Sequence, residues 1–207
     1  VKDIPGYANL VKGGYLSDLS GEGIDATLYG GTIEQITVDG KFYALPFRSD
    51  HWVVYYNKDL FDAAGVEYPT NDMTIAQYDE LARKVTSGTG ADKVYGSHFH
   101  TWRSAPSLFA VLDGEHTVVD GNYDFMKSTY EWVLAEQNDG ICQDYGTLKA
   151  TSTHYSGVFF NNQVAMMNMG SWFIPTQIEK VKSGESLATN WGIVKYPHPD
   201  GVAAGTT

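Results

Sequence analysis

Residues 40–61 read GKFYALPFRSDHWVVYYNKDLF, a turn, an apolar segment, a polar interruption, an aromatic segment and a helix start in one run. Asp39-Gly40 predicts a hairpin turn between Ile36-Thr37-Val38 and Phe42-Tyr43-Ala44-Leu45, because both turn residues tolerate the positive φ of tight β connections. Pro46 bars a helix and holds Leu45 extended. After Phe47 come Arg48, Ser49, Asp50 and His51, four hydrogen-bonding side chains between segments that otherwise read as buried strand, and this is where a binding group belongs. Trp52-Val53-Val54-Tyr55-Tyr56 resumes the strand. Asn57 reads as the N-cap of a helix over residues 58–64 that Gly65 closes.

Outward from this run, helical and extended patterns alternate. Tyr7, Leu10 and Val11 mark a short helix ended by Gly13-Gly14, and residues 20–31 are Gly-rich and loop-like. Thr74 and Gln77 form a capping box, with Ile75, Tyr78, Leu81, Ala82 and Val85 on one helical face until Ser87-Gly88. Residues 94–99 read as a strand leading into His100-Thr101-Trp102-Arg103, and residues 108–112 as a helix. Phe125, Met126, Thr129, Tyr130, Val133 and Leu134 predict an amphipathic helix over 124–138 with a wide buried stripe, closed by Gly140. A short helix over 158–162, a strand over 164–168, a helix over 172–182 with Pro175 in its first turn, and a strand over 191–196 complete the pattern. The alternation predicts an α/β sheet with helices on its faces.

The 207 residues are 43% apolar and 14% aromatic, enough for one large core or one and a half small ones, and the formal charge of −11 sets the chain against nucleic acid or an anionic membrane as partner. Fourteen Tyr, nine Phe and five Trp supply flat faces of the kind that stack on sugar rings. Cys142 is the single cysteine, so there is no internal disulfide and no multi-cysteine metal site; it reads as a small buried residue. His98 and His100 share a strand face but lack a carboxylate or cysteine in register, and Asp113-Gly114-Glu115 and Asp120-Gly121-Asn122 lack the spaced oxygens of a calcium loop, so no metal is expected.

The order G-K-x-Y-A-L-P-aromatic, a short polar stretch, then Y-Y-N-K-D-L-F resembles the extracellular sugar-binding proteins of ABC importers, the maltose-binding-protein-like solute-binding family. A second stretch, VFFNNQVAMMNMGSW at 158–172, is similar to the family's F-x-x-G-x-A-A-M-x-x-x-G-S-W element. Asn162 stands where the family usually has glycine, a place a left-handed Asn can fill. The helix before Tyr15-Leu16 resembles the first-lobe helix that precedes the family's G-x-L-x-x-L. The resemblance spans residues 3–197 and implies a type II periplasmic-binding-protein-like α/β fold of two lobes joined by crossing segments, matched here by 46–56 and 192–197. It further implies that 1–47 is a remnant of the first lobe, 48–197 the second lobe and 198–207 the start of the return. Family members run to about twice this length, so an internal fragment is expected.

The resemblance also implies a function without a catalytic step or cofactor. The expected protein captures a mono- or oligosaccharide between two lobes, delivers it to the permease subunits of an ABC importer, works outside the cytoplasm as a periplasmic protein or cell-surface lipoprotein, and is a monomer at full length. Trp172, after Gly170 and Ser171 at a strand-to-helix junction where glycine lets a ligand approach free amides, matches the family's cleft tryptophan that stacks on a sugar ring; the alternative is a core residue fastening helix to sheet. Trp102, beside His100 and Arg103, matches the loop from which family members place an aromatic in the cleft. Arg48 and Asp50 suit vicinal hydroxyls through a donor fork and a two-oxygen acceptor, unless they merely pair with each other at the surface. Phe47 and His51 are further candidates, with strand alternation setting His51 opposite Asp50. The rival readings are a glycoside hydrolase, which needs two carboxylates across the scissile bond and could draw only on Asp50, Asp113, Glu115 and Asp144, a β-sandwich carbohydrate-binding module, and a same-fold receptor for a polyamine or an iron complex.

Overall fold

The central strand is β1, Trp52–Asn57, whose valines and aromatics are the β-branched and flat side chains that fill a pleated, buried surface. In the computed structural model, which describes residues 3–206, the chain divides into two units, Val1–Ser49 and Asp50–Thr207. The smaller unit carries α1, Ile4–Lys12, capped by the Asp3 carboxylate on the Gly6 amide, a 3-10 turn at Ala26–Tyr29 and the one-turn α2, Thr32–Gln35. The Tyr7 hydroxyl donates to the Ile36 carbonyl and accepts from the Tyr43 amide, tying α1 to residues 36–43.

In this unit the hairpin expected around Asp39-Gly40 is only a turn. Asp39 and Gly40 do adopt positive φ, 51° and 75°, but a single bridge, Val38 to Lys41, follows. Leu45 is exposed and Phe47 is 96% exposed. Without a neighbouring strand among the described residues, the apolar run has no ladder to join.

The larger unit is built on one sheet ordered β2-β1-β3, with β2 Met166–Gly170 and β3 Trp191–Lys195 both antiparallel to β1. More than a hundred residues separate β1 from β2, and they supply helices α3 to α8: Lys58–Ala64, Ile75–Val85, Ser104–Ala110, Lys127–Asn138, Tyr145–Ala150 and Tyr155–Phe160. Helix α9, Phe173–Lys182, joins β2 to β3. Alternation along the strands then sorts the core in two. Val54, Met166 and Val194 pack with Phe61, Tyr78, Phe109 and Val133 on one face. Tyr55, Met167 and Met169 pack with Tyr155, Phe159 and Phe173 on the other. Cys142 is buried.

Several local signals hold as read. Thr74 and Gln77 form the reciprocal capping box, Gly65 closes α3 in the left-handed region, and Asn162 takes φ 56°. Asn57 precedes α3 but does not cap it: its Nδ2 donates to Asn162 Oδ1 at 2.6 Å. Residues 94–99 form isolated bridges, Val94 to Ser87 and Tyr95 to Val164, rather than a strand. The helix expected over 108–112 begins at Ser104 and ends at Ala110. The stripe expected on α6 is rotated: Val133 and Glu136 are buried whereas Tyr130 and Leu134 are exposed, because the ring of Trp132 packs into the core against Phe99 and Phe109 and turns the helix toward it.

Candidate functional site

Antiparallel pairing of β1 with β2 sets Trp52 opposite Gly170, so the residues before β1 meet those after β2. The Ser171 amide donates to the His51 carbonyl at 2.8 Å, the His51 amide donates to Ser171 Oγ at 3.1 Å, and that hydroxyl donates to Asp50 Oδ1 at 2.9 Å. A serine and an aspartate 121 positions apart are thereby joined. The alternation argument sets His51 opposite Asp50, but the ladder starts only at Trp52. Both residues border one cavity of about 500 Å³, with Trp52, Leu108 and Tyr196 on its walls.

Beside this polar joint three tryptophans converge. The Trp52 ring lies 5.5 Å from Trp172 and 6.5 Å from Trp102, edge to face in both cases, and Trp102 and Trp172 are 6.1 Å apart. Gly170 makes this possible, since a Cβ there would collide with the Trp172 ring. The Tyr55 hydroxyl, buried under the sheet, donates to the Gly170 carbonyl and fixes the end of β2. Trp172 sits at the N-cap position of α9, and its Nε1 donates to the Tyr155 hydroxyl at 3.3 Å. Tyr155 in turn lies 5.7 Å from Trp102 and 5.2 Å from His100. Trp102 is 41% exposed, so the corner presents aromatic surface to solvent on a rigid support.

The imidazoles behind the corner are uncharged near neutrality. Burial, with the positive potential of His154 and Lys149 added, lowers His100 to about 4. Burial, with His100 and His154 added, lowers His98 to about 3. Their rings lie 6.0 Å apart, and among the described residues no group of three or more His, Cys, Asp or Glu could hold a metal ion.

Of the candidate residues, Asp50, His51, Gly170, Ser171, Trp102 and Trp172 come together at one end of the sheet. Arg103 immediately precedes α5 and borders a second cavity of about 320 Å³ next to Trp102. Phe47 and Arg48 belong to the smaller unit. Sequence reasoning passed over Trp52, Tyr155 and Tyr196, whose ring lies 6.4 Å from Trp52. Trp52 shares strand parity with the core residues Val54 and Tyr56, which hides it; its adjacency to the polar run was the available signal.

Residues 2–207 match the family described as bacterial extracellular solute-binding protein. The chain belongs to that family. It is 59% identical to a sugar transporter from Rhizobium etli solved in an open conformation, with a TM-score of 0.85 over 100% of this chain and 54% of that one. A substrate-binding protein from Listeria monocytogenes in complex with cycloalternan shares the fold at 22% identity and a TM-score of 0.78, covering 95% of this chain and 51% of that one. The sn-glycerol-3-phosphate-binding periplasmic protein of Brucella abortus is 24% identical over 96% of this chain and 45% of its own length. The chain thus spans about half the length of the solute-binding proteins it matches.

Proposed function

We propose that this chain is the sugar-facing part of the substrate receptor of an ABC importer, with residues 50–207 forming most of one lobe of a two-lobed protein. One observation carries the reading: Trp52, Trp102 and Trp172 converge beside the Asp50 carboxylate and the Ser171 hydroxyl at one end of the sheet. Aromatic faces take the C–H faces of a pyranose, while a carboxylate and a hydroxyl take its hydroxyl groups. A second lobe would close over the ring, and hinge closure would couple capture to delivery at the permease. The family name supports a place outside the cytoplasm; anchoring by a lipid is part of the same proposal.

No catalytic step enters this reading. Asp50 accepts a hydrogen bond from Ser171 and is the one carboxylate among the residues lining the cavity of about 500 Å³, whereas a glycoside hydrolase needs a pair, which favours a receptor. The test is calorimetric titration of mono- and oligosaccharides into the protein completed to the length of its relatives. A binding sugar whose heat is lost in Trp172→Ala supports the assignment, and one that binds the variant unchanged removes Trp172 from the site. Release of reducing sugar from an oligosaccharide would overturn the receptor reading itself.

A further inference from the structure

Trp102 follows a segment with little backbone support of its own. The Gly96 and Ser97 amides donate to the Ile141 carbonyl, and the Trp102 carbonyl accepts from the Ala105 amide. Between them, among the described residues, no backbone group of residues 98–101 is hydrogen-bonded to another backbone group. Side chains hold the stretch instead. Phe99 packs in the core against Phe109 and Trp132, and the buried His98 and His100 rings lie 6.0 Å apart. His100 is the ring nearest to the Trp102 indole, 4.6 Å away with the planes crossing at 82°, against 5.7 Å for Tyr155, 6.1 Å for Trp172 and 6.5 Å for Trp52.

Resting on the carbohydrate reading above, we propose that His100 is a positioning residue for Trp102: as an uncharged ring it seats the indole at the tryptophan corner, and its protonation unseats the indole, so that sugar capture weakens in acid.

The seat accepts only the uncharged ring. His100 Nδ1 is buried without a hydrogen-bond partner, as is His98 Nε2, so a proton added at either atom creates a buried donor with no acceptor. The titratable and charged groups around His100 are His98 on its own segment, Lys149 on α7, and His154 and Tyr155 at the start of α8; Arg103 follows Trp102 in the chain. None is a carboxylate, so an imidazolium finds no counter-charge among them. The indole itself attracts a cation, but burial and the neighbouring positive charges outweigh that attraction and hold His100 at about 4. A chain whose 98–102 segment has swung out restores the ordinary imidazole value of about 6.5. It therefore takes up a proton that the seated ring refuses, and acid favours the unseated state as pH falls from about 6.5 to 4. Near neutrality the ring stays seated, and Trp102 stays beside Trp52 and Trp172.

The 207-residue chain, labelled with nitrogen-15, is followed from pH 7.5 to 4 through the heteronuclear NOE of its five tryptophan indole N–H groups, with Trp102→Phe identifying the signal of interest. We expect the Trp102 indole to be ordered at pH 7.5 and to lose order on acidification before the other four, while the far-ultraviolet circular dichroism is unchanged. His100→Phe, which keeps a flat ring but cannot take a proton, should hold Trp102 ordered throughout, and His100→Ala should free it already at pH 7.5. A Trp102 indole that stays ordered to pH 4, that loses order only together with the other four, or that loses it equally in His100→Phe overturns the proposal.

Binding is read by calorimetric titration of glucose, galactose, mannose and their α- and β-linked disaccharides into the protein completed to the length of its relatives. At least one saccharide should bind at pH 7.5 and lose about tenfold in affinity at pH 4.5, with that loss cut to under about threefold in His100→Phe. At pH 7.5 the same saccharide should bind His100→Phe about fivefold more tightly than His100→Ala, a rescue by ring shape alone. Equal acid dependence in the parent and His100→Phe overturns the proposal and leaves the carbohydrate reading standing. If no saccharide binds the parent at pH 7.5, the carbohydrate reading falls and acid-weakened capture with it, while the indole measurement still decides whether His100 seats Trp102.

Discussion

Ser171 Oγ donates to Asp50 Oδ1 at 2.9 Å while accepting from the His51 amide at 3.1 Å, so one hydroxyl joins the entry to β1 and the exit from β2. A double-mutant cycle over Asp50→Asn and Ser171→Ala, measured by urea unfolding, should give a coupling of about 0.5–1.5 kcal/mol. Coupling indistinguishable from zero would show that the two side chains are neighbours without mutual support.

Gly170 is required by its neighbour rather than by its backbone, since its φ lies outside the left-handed region and the atoms nearest to an added Cβ are those of the Trp172 ring. Gly170→Ala should displace that ring, with a loss of about 1–3 kcal/mol from overpacking and a changed near-ultraviolet circular dichroism spectrum. A variant with native stability and native spectrum would contradict the packing described.

Asn162 holds φ 56° and accepts from the fully buried Asn57. Asn162→Gly relieves the backbone, worth under about 1 kcal/mol, but leaves a buried amide unpaired at a cost of about 1–3 kcal/mol. The net effect should be destabilising, and Asn162→Ala, which loses on both counts, should be worse. A stabilised glycine variant would show that the backbone effect is the larger one.

Glu136 is fully buried in the core, accepting from Ser97 Oγ. Burial, opposed by that hydrogen bond and reinforced by the neighbouring Asp79, pushes its carboxyl up to about 8. The folded state then holds a proton that the unfolded chain releases above its ordinary value of about 4.5. The contribution of this group to stability is intact below pH 4.5 and declines as pH rises to about 8, at up to about 1.4 kcal/mol per pH unit. Glu136→Gln should remove that decline, read as the difference between the variant's and the parent's urea unfolding across pH 4.5–8. Parallel pH profiles would disprove the buried protonated carboxyl.

At the acid end the sign reverses. His98 and His100 are lowered by burial to about 3 and 4, so the unfolded chain takes up protons near pH 6.5 that the folded chain refuses. Their contribution is intact above pH 6.5 and is lost as pH falls toward 4 and 3. Replacing the buried His98 with Asn should flatten the profile between about pH 6.5 and 3, whatever its cost at neutrality. An unchanged acid limb would assign the acid sensitivity elsewhere.

Where the chemistry is local, the elements could be read from the residues. The Thr74–Gln77 box, the left-handed Gly65 and Asn162, and β1 each depend on a few neighbours in sequence, and all stand in the structure. The misreadings are positions where distant partners decide. Phe42-Tyr43-Ala44-Leu45 has strand composition but no neighbouring strand among the described residues, Asn57 finds Asn162 instead of a helix amide, and α6 rolls toward the core on Trp132.

The candidate site divides along the same line. Gly170, Ser171, Trp172 and Trp102 stood out in the sequence because strand-to-helix junctions and aromatic clusters leave local marks, and the ordered motifs at 40–61 and 158–172 were enough to indicate the family. Sequence alone therefore determined the family, the principal strand and the residue types available at the candidate site. Only the tertiary structure could set Trp52 against Trp172, pair Asp50 with Ser171, and bring Trp102 beside both tryptophans. The first two depend on antiparallel pairing across more than a hundred intervening residues, and register over such a distance is a property of the packed sheet rather than of any window of sequence.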